Sequence, residues 1–274
     1  MARPQHFGWF LSRGFGPHGW GHPYLDWDYR WTGPELYQQS VRTLEQAGFD
    51  LVIIEDALSL GNASTLDLRI RSAYGGPKHD PLLLAPYLFD VTQHIGIAPT
   101  VNPLAYSPYQ AARQFATLQH LSDSRFGINV VTDVGSSRHF GVDPLDHDGA
   151  YDRAEEWLGA VKRLWGSWGA EGLVADASTG HFADGSKLDA FSHRGEHFSF
   201  DGPLNALPFG GGGSEALSGD PIVVSPGGSP RGLGFAGANS QVQLALASLD
   251  VDTVRAYRAK VLAAAAAAGR GPAD

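Results

Sequence analysis

Short apolar runs recur along the chain, and turn residues bound each of them. Runs of this length that are rich in Val, Ile or Phe are typical of buried β-strands. The sequence predicts five such strands and a sixth candidate: FGWFL at 7–11, DLVIIED at 50–56, IGIAPTV at 95–101, FGINVVT at 126–132, DPIVVS at 220–225 and, as the sixth, VQLALAS at 242–248.

Between these runs, apolar residues return with the period of an amphipathic helix. Helices are predicted at 33–48, 80–93, 107–122 and 146–168, with another from Asp250 onwards. Strand and helix therefore alternate along the chain. Because a crossover between parallel strands needs a connection of helix length, this alternation predicts an α/β fold with a parallel sheet covered by helices.

The alternation continues for about six βα units, whereas a closed barrel of the (β/α)8 TIM-barrel type needs eight. We therefore expect a single domain over 1–274 that is an open sheet, a fragment or a truncated barrel lacking its C-terminal strands. Residues 169–219 break the alternation between the fourth and fifth strands and are predicted to be a long insertion. It ends in the glycine-rich segment FGGGGSEALSGD, which is predicted to be flexible.

Helix boundaries are marked by residues that satisfy free peptide groups. Gly48 is expected to stop the first helix. A serine followed by proline predicts a helix start at Ser107 and another at Ser229, and Asp146 or Asp148 is expected to cap the fourth helix.

An apolar stripe along the fourth helix predicts the face that packs against the sheet. Tyr151, at the start of this helix, is the member whose hydroxyl is expected to reach outward. The stripe consists of Tyr151, Ala154, Trp157, Leu158, Val161, Leu164 and Trp165.

The composition of the chain excludes several classes of partner and of functional site. The chain has 20 basic and 29 acidic residues, a formal charge of -9, which argues against nucleic acid or an anionic membrane as the main partner. It has no cysteine, which excludes disulfides, thiolate metal sites and thiol nucleophiles. No apolar run approaches the ~20 residues of a membrane span, and the N-terminus lacks the apolar core of a signal peptide, so a cytoplasmic location is expected.

No metal site is predicted. His18 and His22 lie four residues apart in HGWGHP, but this loop is rich in proline and glycine and has no paired carboxylate.

Several motifs occur in a recognisable order over nearly the whole chain. They are WFLSRGFG, AGFDLVIIEDALSL, PTVNPLAYSPYQAARQFATLQHLSDSRFGINVVTD, DHDGAYDRAEEW, HRGEHFSFDGPLN and SPGGSPRGLGFA. Together they resemble the bacterial luciferase-like flavin monooxygenases, in the branch of nitrilotriacetate monooxygenase, dibenzothiophene-sulfone monooxygenase and pristinamycin IIA synthase.

This resemblance implies a (β/α)8-type barrel that binds reduced FMN (FMNH2). It also implies a separate NAD(P)H-dependent flavin reductase as the source of FMNH2, and a homodimer. The implied activity is oxygenation of a small organic substrate with O2 through a C4a-peroxyflavin, in which the cofactor does the demanding chemistry.

The resemblance also assigns flavin contacts to residues near the ends of predicted strands, where a barrel places its site. Asp56 matches an acidic position beside the flavin, although a loop or helix cap is its other interpretation. Thr100 offers a hydroxyl to the isoalloxazine edge, or is a strand threonine without a ligand. Asn129 and Thr132 belong to GINVVTD, in which Asp133 replaces the usual serine and leaves the substrate class open.

His147 and Tyr151 are four residues apart, so they share one face at the start of the fourth helix. The corresponding residues of the family contact the flavin. Free amides in the first helical turn also favour an anion nearby.

The loop SPGGSPRG is the candidate for the FMN phosphate site. Gly227 and Gly228 allow close approach of the backbone, and Ser229 begins a helix whose N-terminus presents unpaired N–H groups. Arg231 either adds positive charge to this site or points to solvent. A plain surface turn is the competing interpretation of the glycines.

His139 is the candidate to hydrogen bond to the peroxide or the substrate, with an ordinary loop residue as the alternative. Five aromatic residues either line a roomy apolar substrate site or belong to the core or an interface: Trp9, Phe10, Trp20, Trp27 and Trp31.

Other functions stay open at this point. A related oxidoreductase would use a deazaflavin, and the cofactor retained on purification would reveal it. A flavin-binding protein without turnover is a second alternative, favoured by the early stop at Asp274. A hydrolase is the weakest alternative, because no paired carboxylates and no Ser-His-Asp order stand out.

Overall fold

Contacts within the chain define two compact units in a computed structural model. The first unit comprises Met1–Val101, Gly127–Asn129 and Asp133–Pro144, and the second comprises Asn102–Phe126, Val130–Thr132 and Leu145–Asp274. The structure describes residues 5–12, 20, 30–71, 73, 76–169, 172–209, 219–245, 248 and 250–271.

The first unit begins with parallel strands joined by helices. Its elements are β1 (Gly8–Leu11), α1 (Glu35–Gln46), β2 (Leu51–Ile54), α2 (Leu66–Arg71), α3 (Pro81–Phe89) and β3 (Gly96–Val101), and most of β4 (Gly127–Val130) belongs to it. β1 pairs with β2 in register Trp9 opposite Val52, and β2 pairs with β3 in register Val52 opposite Ile97. Both pairs are parallel, as the alternation of strands and helices predicted.

The second unit holds the remaining helices and strands. They are α4 (Pro108–Leu121), α5 (His147–Trp165), β5 (Leu173–Asp176), β6 (His181–Ala183), β7 (Ser192–Arg194), β8 (Ser199–Asp201), β9 (Ile222–Pro226), α6 (Pro230–Asn239), β10 (Val242–Leu244) and α7 (Val251–Ala267). β9 and β10 pair in parallel, with Val224 opposite Val242.

The main sheet of the described chain has six strands in the hydrogen-bonded order β1-β2-β3-β4-β9-β10. All six correspond to the strands predicted from the apolar runs, although β10 ends at Leu244. The α/β class and the parallel pairing are therefore confirmed.

The segment between α5 and β9 contains structure that the sequence did not predict. β5 pairs antiparallel with β6, and β7 pairs antiparallel with β8, so the predicted insertion holds two small sheets. The part of its glycine-rich segment at 210–218 lies outside the described residues.

The predicted helix boundaries are confirmed by hydrogen bonds. Ser107 Oγ accepts the Gln110 N–H at 3.4 Å, and Asp146 Oδ1 accepts the Gly149 N–H at 2.8 Å. Asp146, not Asp148, is thus the cap of α5. Gly48 follows the end of α1 with φ +81°, a conformation that glycine adopts without strain.

The stripe of α5 is buried and packs against α4 within the second unit. The Trp157 side chain is fully buried, and its ring lies 6.0 Å from that of Phe115. Its Nε1–H donates to the Tyr106 carbonyl at 2.9 Å, so the indole nitrogen is satisfied away from water. This packing fixes the start of α5, where His147 and Tyr151 lie.

Glu45 joins α1 to the turn that precedes β3. Its Oε1 accepts the backbone N–H groups of Gln93, His94 and Ile95 at 2.8, 2.6 and 3.0 Å. Burial raises the pKa of Glu45, but these three hydrogen bonds outweigh burial, so the net pKa is lowered. A lowered carboxyl pKa stabilises the fold above the pKa of the unfolded chain, and this stabilisation is lost as the pH falls through the folded pKa.

We therefore expect Glu45→Gln to lower the free energy of unfolding by about 1 kcal/mol at pH 7, allowing for partial exposure to solvent. The difference from the wild type should be smaller at pH 3, because this stabilisation is lost as the pH falls through the folded pKa. Urea unfolding at both pH values measures it, with Glu196→Gln, an exposed glutamate, as the matched control. An equal loss at both pH values would show that the charge of Glu45 is not what matters.

Candidate functional site

In the first unit, a short chain of hydrogen bonds links β2, β3 and β4. Thr100 Oγ1 donates to the Ile54 carbonyl at 2.7 Å. Asn129 Nδ2 donates to Thr100 Oγ1, also at 2.7 Å. Because the hydroxyl proton of Thr100 is engaged, Thr100 has no free donor to offer to a ligand.

In this series of hydrogen bonds, the side-chain oxygen of Asn129 is the atom that has no described partner. Asn129 is buried, 2% exposed, and its Oδ1 has no hydrogen-bond partner within the described part of the molecule. The amide orientation is fixed, because Thr100 Oγ1 already donates its proton to Ile54 and can only accept from Asn129. A buried unpaired acceptor is costly, so this oxygen is an acceptor that a ligand donor could satisfy.

Asp56 follows β2 and lines a cavity of about 270 Å³ in the first unit, together with Ser59, Lys78 and His79. Burial raises the pKa of Asp56 to about 6, although the Ala57 N–H and the Lys78 ammonium favour its ionised form. Lys78 Nζ is bound to Glu55 Oε2 at 2.5 Å. Asp56 is therefore a carboxyl that exchanges a proton near neutral pH.

The loop after β4 does not bring its predicted residues to a common point. His139 lies in a 3-10 turn over Ser137–Phe140, its side chain is exposed, and no described hydrogen bond involves its ring. Asp133 is not an unpaired buried carboxylate, because it accepts from Ser136 Oγ at 2.5 Å and from the Gly135 N–H at 2.7 Å.

Thr132 belongs to the second unit and is half-buried there. Among the described hydrogen bonds, none involves its side chain, so no contact supports its predicted role.

A second group of predicted residues comes together within the second unit. Ser229 caps α6 by accepting the Gly232 N–H at 3.0 Å, and its Oγ lies 3.2 Å from His147 Nε2. His147 also contacts Tyr151, with ring centroids 5.2 Å apart, and its Nδ1 lies 2.6 Å from Asp148 Oδ1. Residues from the starts of α5 and α6 thus meet at the loop after β9.

This loop requires glycine because the Tyr151 hydroxyl lies against it. Gly227 has φ +126°, and a Cβ there would lie 2.7 Å from Tyr151 Oη. A Cβ on Gly232 would meet the same oxygen at 2.7 Å. The Tyr151 ring itself is buried, with its centroid 5.7 Å from that of Phe235, so only the hydroxyl end faces the loop.

Gly228 differs from its neighbours. A Cβ at this position would meet Tyr257 Cε2 at 3.6 Å, an ordinary contact. None of the hydrogen bonds described for the chain has the Gly228 or Ser229 N–H as its donor. Beside the N-terminus of α6, where the helix dipole favours an anion, two amides therefore have no acceptor among the described residues.

Arg231 lies beside Tyr151 but is paired with carboxylates of α5, so its guanidinium is neither left unpaired at this site nor simply solvated. Its guanidinium binds Asp152 at 2.6 Å and Glu155 at 2.8 Å. The hydrogen bonds that Arg231 donates to Glu155 and Asp152 raise its pKa further, and its charge joins α6 to α5.

Two residues that hold the loop were missed by sequence reasoning. Gln243 of β10 and Tyr257 of α7 both donate to the Gly227 carbonyl, at 2.7 and 3.0 Å. They lie 16 and 30 residues from Gly227, and no local motif marks either of them.

The aromatic residues near the N-terminus do not form a core in the described chain. Trp9, Phe10, Trp20 and Trp31 are 43%, 46%, 50% and 43% exposed. Trp27, His18 and His22 lie outside the described residues.

Over the described ranges, no group of three or more His, Asp or Glu side chains is arranged to hold a metal ion. Within the same residues, no helix combines the length and apolar character needed to cross a bilayer.

Asp56 gives a prediction about stability and pH. Because its folded pKa of about 6 exceeds the ordinary value of 3.8, the folded chain binds this proton more tightly than the unfolded chain. The resulting stabilisation is complete below the ordinary pKa and is lost as the pH rises through 6. Asp56→Asn should therefore raise the free energy of unfolding by about 1 kcal/mol at pH 8, after a discount for solvent screening, and change it little at pH 4.

Denaturant unfolding at the two pH values checks this expectation. The exposed Asp67 serves as the matched control through Asp67→Asn, which should have a small effect at either pH. If Asp56→Asn destabilises the fold at pH 8, the ionised carboxylate is favoured by its surroundings and the raised pKa is wrong.

Comparison with known proteins identifies the family of this chain. The model of the luciferase-like monooxygenase family matches residues 6–274. Dibenzothiophene-sulfone monooxygenase of Rhodococcus erythropolis (strain XP) is 35% identical over 99% of this chain and 60% of its own length. N-acetyl-S-(2-succino)cysteine monooxygenase of Bacillus subtilis (strain 168) is 32% identical over 97% of this chain and 57% of its own length.

Solved structures agree. Long-chain alkane monooxygenase superposes with a TM-score of 0.85 at 28% identity, covering 99% of this chain and 63% of that one. Riboflavin lyase, solved with a modified FMN and riboflavin, superposes with a TM-score of 0.84 at 28% identity, covering 98% of this chain and 60% of that one. The chain thus spans about 60% of the length of these relatives. The match over nearly all of its residues shows that the chain belongs to the luciferase-like monooxygenase family.

Proposed function

We propose that this chain binds reduced FMN supplied by a separate flavin reductase and uses it with O2 to oxygenate a small organic substrate. Family membership supports the reaction class. The observation that carries the proposal is the loop after β9, where two amides without an acceptor among the described residues lie beside Ser229 Oγ, which is 3.2 Å from His147 Nε2.

The phosphate of FMN fits this loop. The N–H groups of Gly228 and Ser229 would donate to phosphate oxygens, and the positive end of α6 would favour their charge. Ser229 Oγ and His147 Nε2, 3.2 Å apart, add two further polar atoms. The Tyr151 hydroxyl, held against Gly227 and Gly232, supplies another donor.

In the first unit, the unpaired oxygen of Asn129 is our candidate for a contact with a flavin N–H. Isoalloxazine carries an N–H donor that a buried carbonyl oxygen can accept, and Thr100 holds the Asn129 amide so that Oδ1 is the atom left over. Asp56, with its pKa near 6, is our candidate for holding or releasing a proton beside the flavin.

When bound, reduced FMN supplies the electrons that activate O2, and the protein contributes binding, orientation and exclusion of water. The roles of His139 and Thr132 rest on sequence alone. The separate reductase is supported by relatives that are named as one component or subunit of a system. The substrate and a homodimer are parts of the proposal that rest on the resemblance alone.

Turnover provides the direct test. With NADH, a flavin reductase, FMN and dibenzothiophene sulfone, we expect product that carries oxygen from labelled O2 and a yield of hydrogen peroxide below one per NADH consumed. A long-chain alkane serves as a second substrate, since a relative with that name is 30% identical. Mass spectrometry detects the labelled product. Hydrogen peroxide as the sole product, with every substrate offered, would remove oxygenation from the proposal.

Cofactor binding provides a second test. Gly228→Val introduces bulk where the fold has room, and Ser229→Ala removes a polar atom, so each should weaken FMN binding by about tenfold. The affinity of the two variants for riboflavin, which lacks the phosphate, should change little. Quenching of flavin fluorescence measures both constants.

Two control variants separate ligand contact from folding. Gly234→Val changes an exposed glycine of the same helix, where an added Cβ would have no atom within 4 Å. Ser107→Ala removes an equivalent helix cap from α4. Weaker FMN binding in either control would show that the loop acts through stability and does not touch the phosphate.

A further inference from the structure

The Gly227 carbonyl is bound by two side chains from elements that follow it. Gln243 Nε2 lies 2.7 Å from this oxygen and Tyr257 Oη lies 3.0 Å from it. Both are donors, since a carbonyl oxygen only accepts. The oxygen is thus held on the side of β10 and α7.

The orientation of Gln243 is determined by its other contacts. Its Oε1 accepts from Ser225 Oγ at 3.0 Å, and Ser225 is 1% exposed. Its Nε2 also lies 3.2 Å from Tyr257 Oη, which can accept from it because the tyrosine proton goes to Gly227. Every donor in the group therefore has an acceptor, and neither side chain can turn over without losing a bond.

Because a peptide group is planar, holding the Gly227 carbonyl also fixes the direction of the Gly228 N–H. The peptide group between Gly227 and Gly228 is planar and trans, so its C=O and N–H point in opposite directions. Holding the oxygen toward Gln243 and Tyr257 aims the Gly228 N–H away from them. This N–H donates to no acceptor among the described residues.

We propose that Gln243 and Tyr257 are positioning residues for a phosphate group: by fixing the Gly227–Gly228 peptide they aim the Gly228 N–H at the phosphate of FMN. They act through the peptide and do not touch the ligand. The inference rests on the proposed function of the loop, and it assigns to β10 and α7 a role in recognising the phosphorylated form of the flavin.

The preference for FMN over riboflavin tests this role. Tyr257→Phe removes the hydroxyl alone, and Gln243→Met removes the amide donor without adding charge. Each removes one of the two hydrogen bonds that hold the peptide, so FMN affinity should fall by about fivefold while riboflavin affinity stays constant. Riboflavin affinity is measured by displacement of FMN, so that only the FMN site is reported.

The two substitutions should also be non-additive, because both act on one carbonyl oxygen. The double variant should lose less affinity than the product of the single losses. Two variants serve as matched controls. Tyr109→Phe removes a hydrogen bond from a tyrosine hydroxyl to the Pro203 carbonyl, and Gln38→Met removes a hydrogen bond from a side-chain amide to the Tyr87 carbonyl. Neither control should change the preference.

The outcomes are distinct. If the wild type binds FMN no better than riboflavin, the phosphate loop itself is wrong and the proposed function loses its main support. If the wild type prefers FMN and both variants keep that preference, the loop stands and the positioning role is overturned. An equal fall in FMN and riboflavin affinity, with a lower melting temperature, would also overturn it in favour of a purely structural role.

Discussion

Backbone carbonyls at the ends of parallel strands need partners, and this chain supplies them from side chains of the next strand. Ile54, the last residue of β2, receives the Thr100 hydroxyl of β3. Gly227, just after β9, receives the Gln243 amide of β10. In each unit a group near such a strand end has no partner among the described residues, Asn129 Oδ1 in the first and the Gly228 N–H in the second, and a ligand could use it. The side chains that pair with the carbonyls at the strand ends therefore also determine which polar atoms are left for a ligand.

Much of the fold could be predicted because its signals are local. Apolar runs predicted the strands of the main sheet, and serine followed by proline predicted the starts of α4 and α6. The short strands β5 to β8 gave no such signal, because three- and four-residue strands with exposed positions show neither a continuous apolar run nor alternation. α2 was missed for a related reason, since its six residues include no buried one.

The site could be predicted only in part. Asn129, His147, Tyr151 and Ser229 were recognised as residue types in familiar motifs, but what each of them contacts depends on tertiary structure. Arg231 shows the difference: its place in the motif suggested a ligand for phosphate, whereas neighbouring carboxylates on α5 take its charge. Gln243 and Tyr257 had no sequence signal, because their shared target is distant along the chain.

The crowding around the Tyr151 hydroxyl has a consequence for how this family can diverge. Gly227 is confined by its backbone angle and by that oxygen, whereas Gly232 is confined by the oxygen and by close neighbours alone. A methyl group at position 232 loses its most severe contact in relatives where position 151 is phenylalanine, and keeps contacts of 3.2 and 3.3 Å to Ser229 Oγ and Gly227 Cα. Among related sequences, Tyr151 and Gly232 should therefore change together, and Gly227 should remain fixed whichever pair is present.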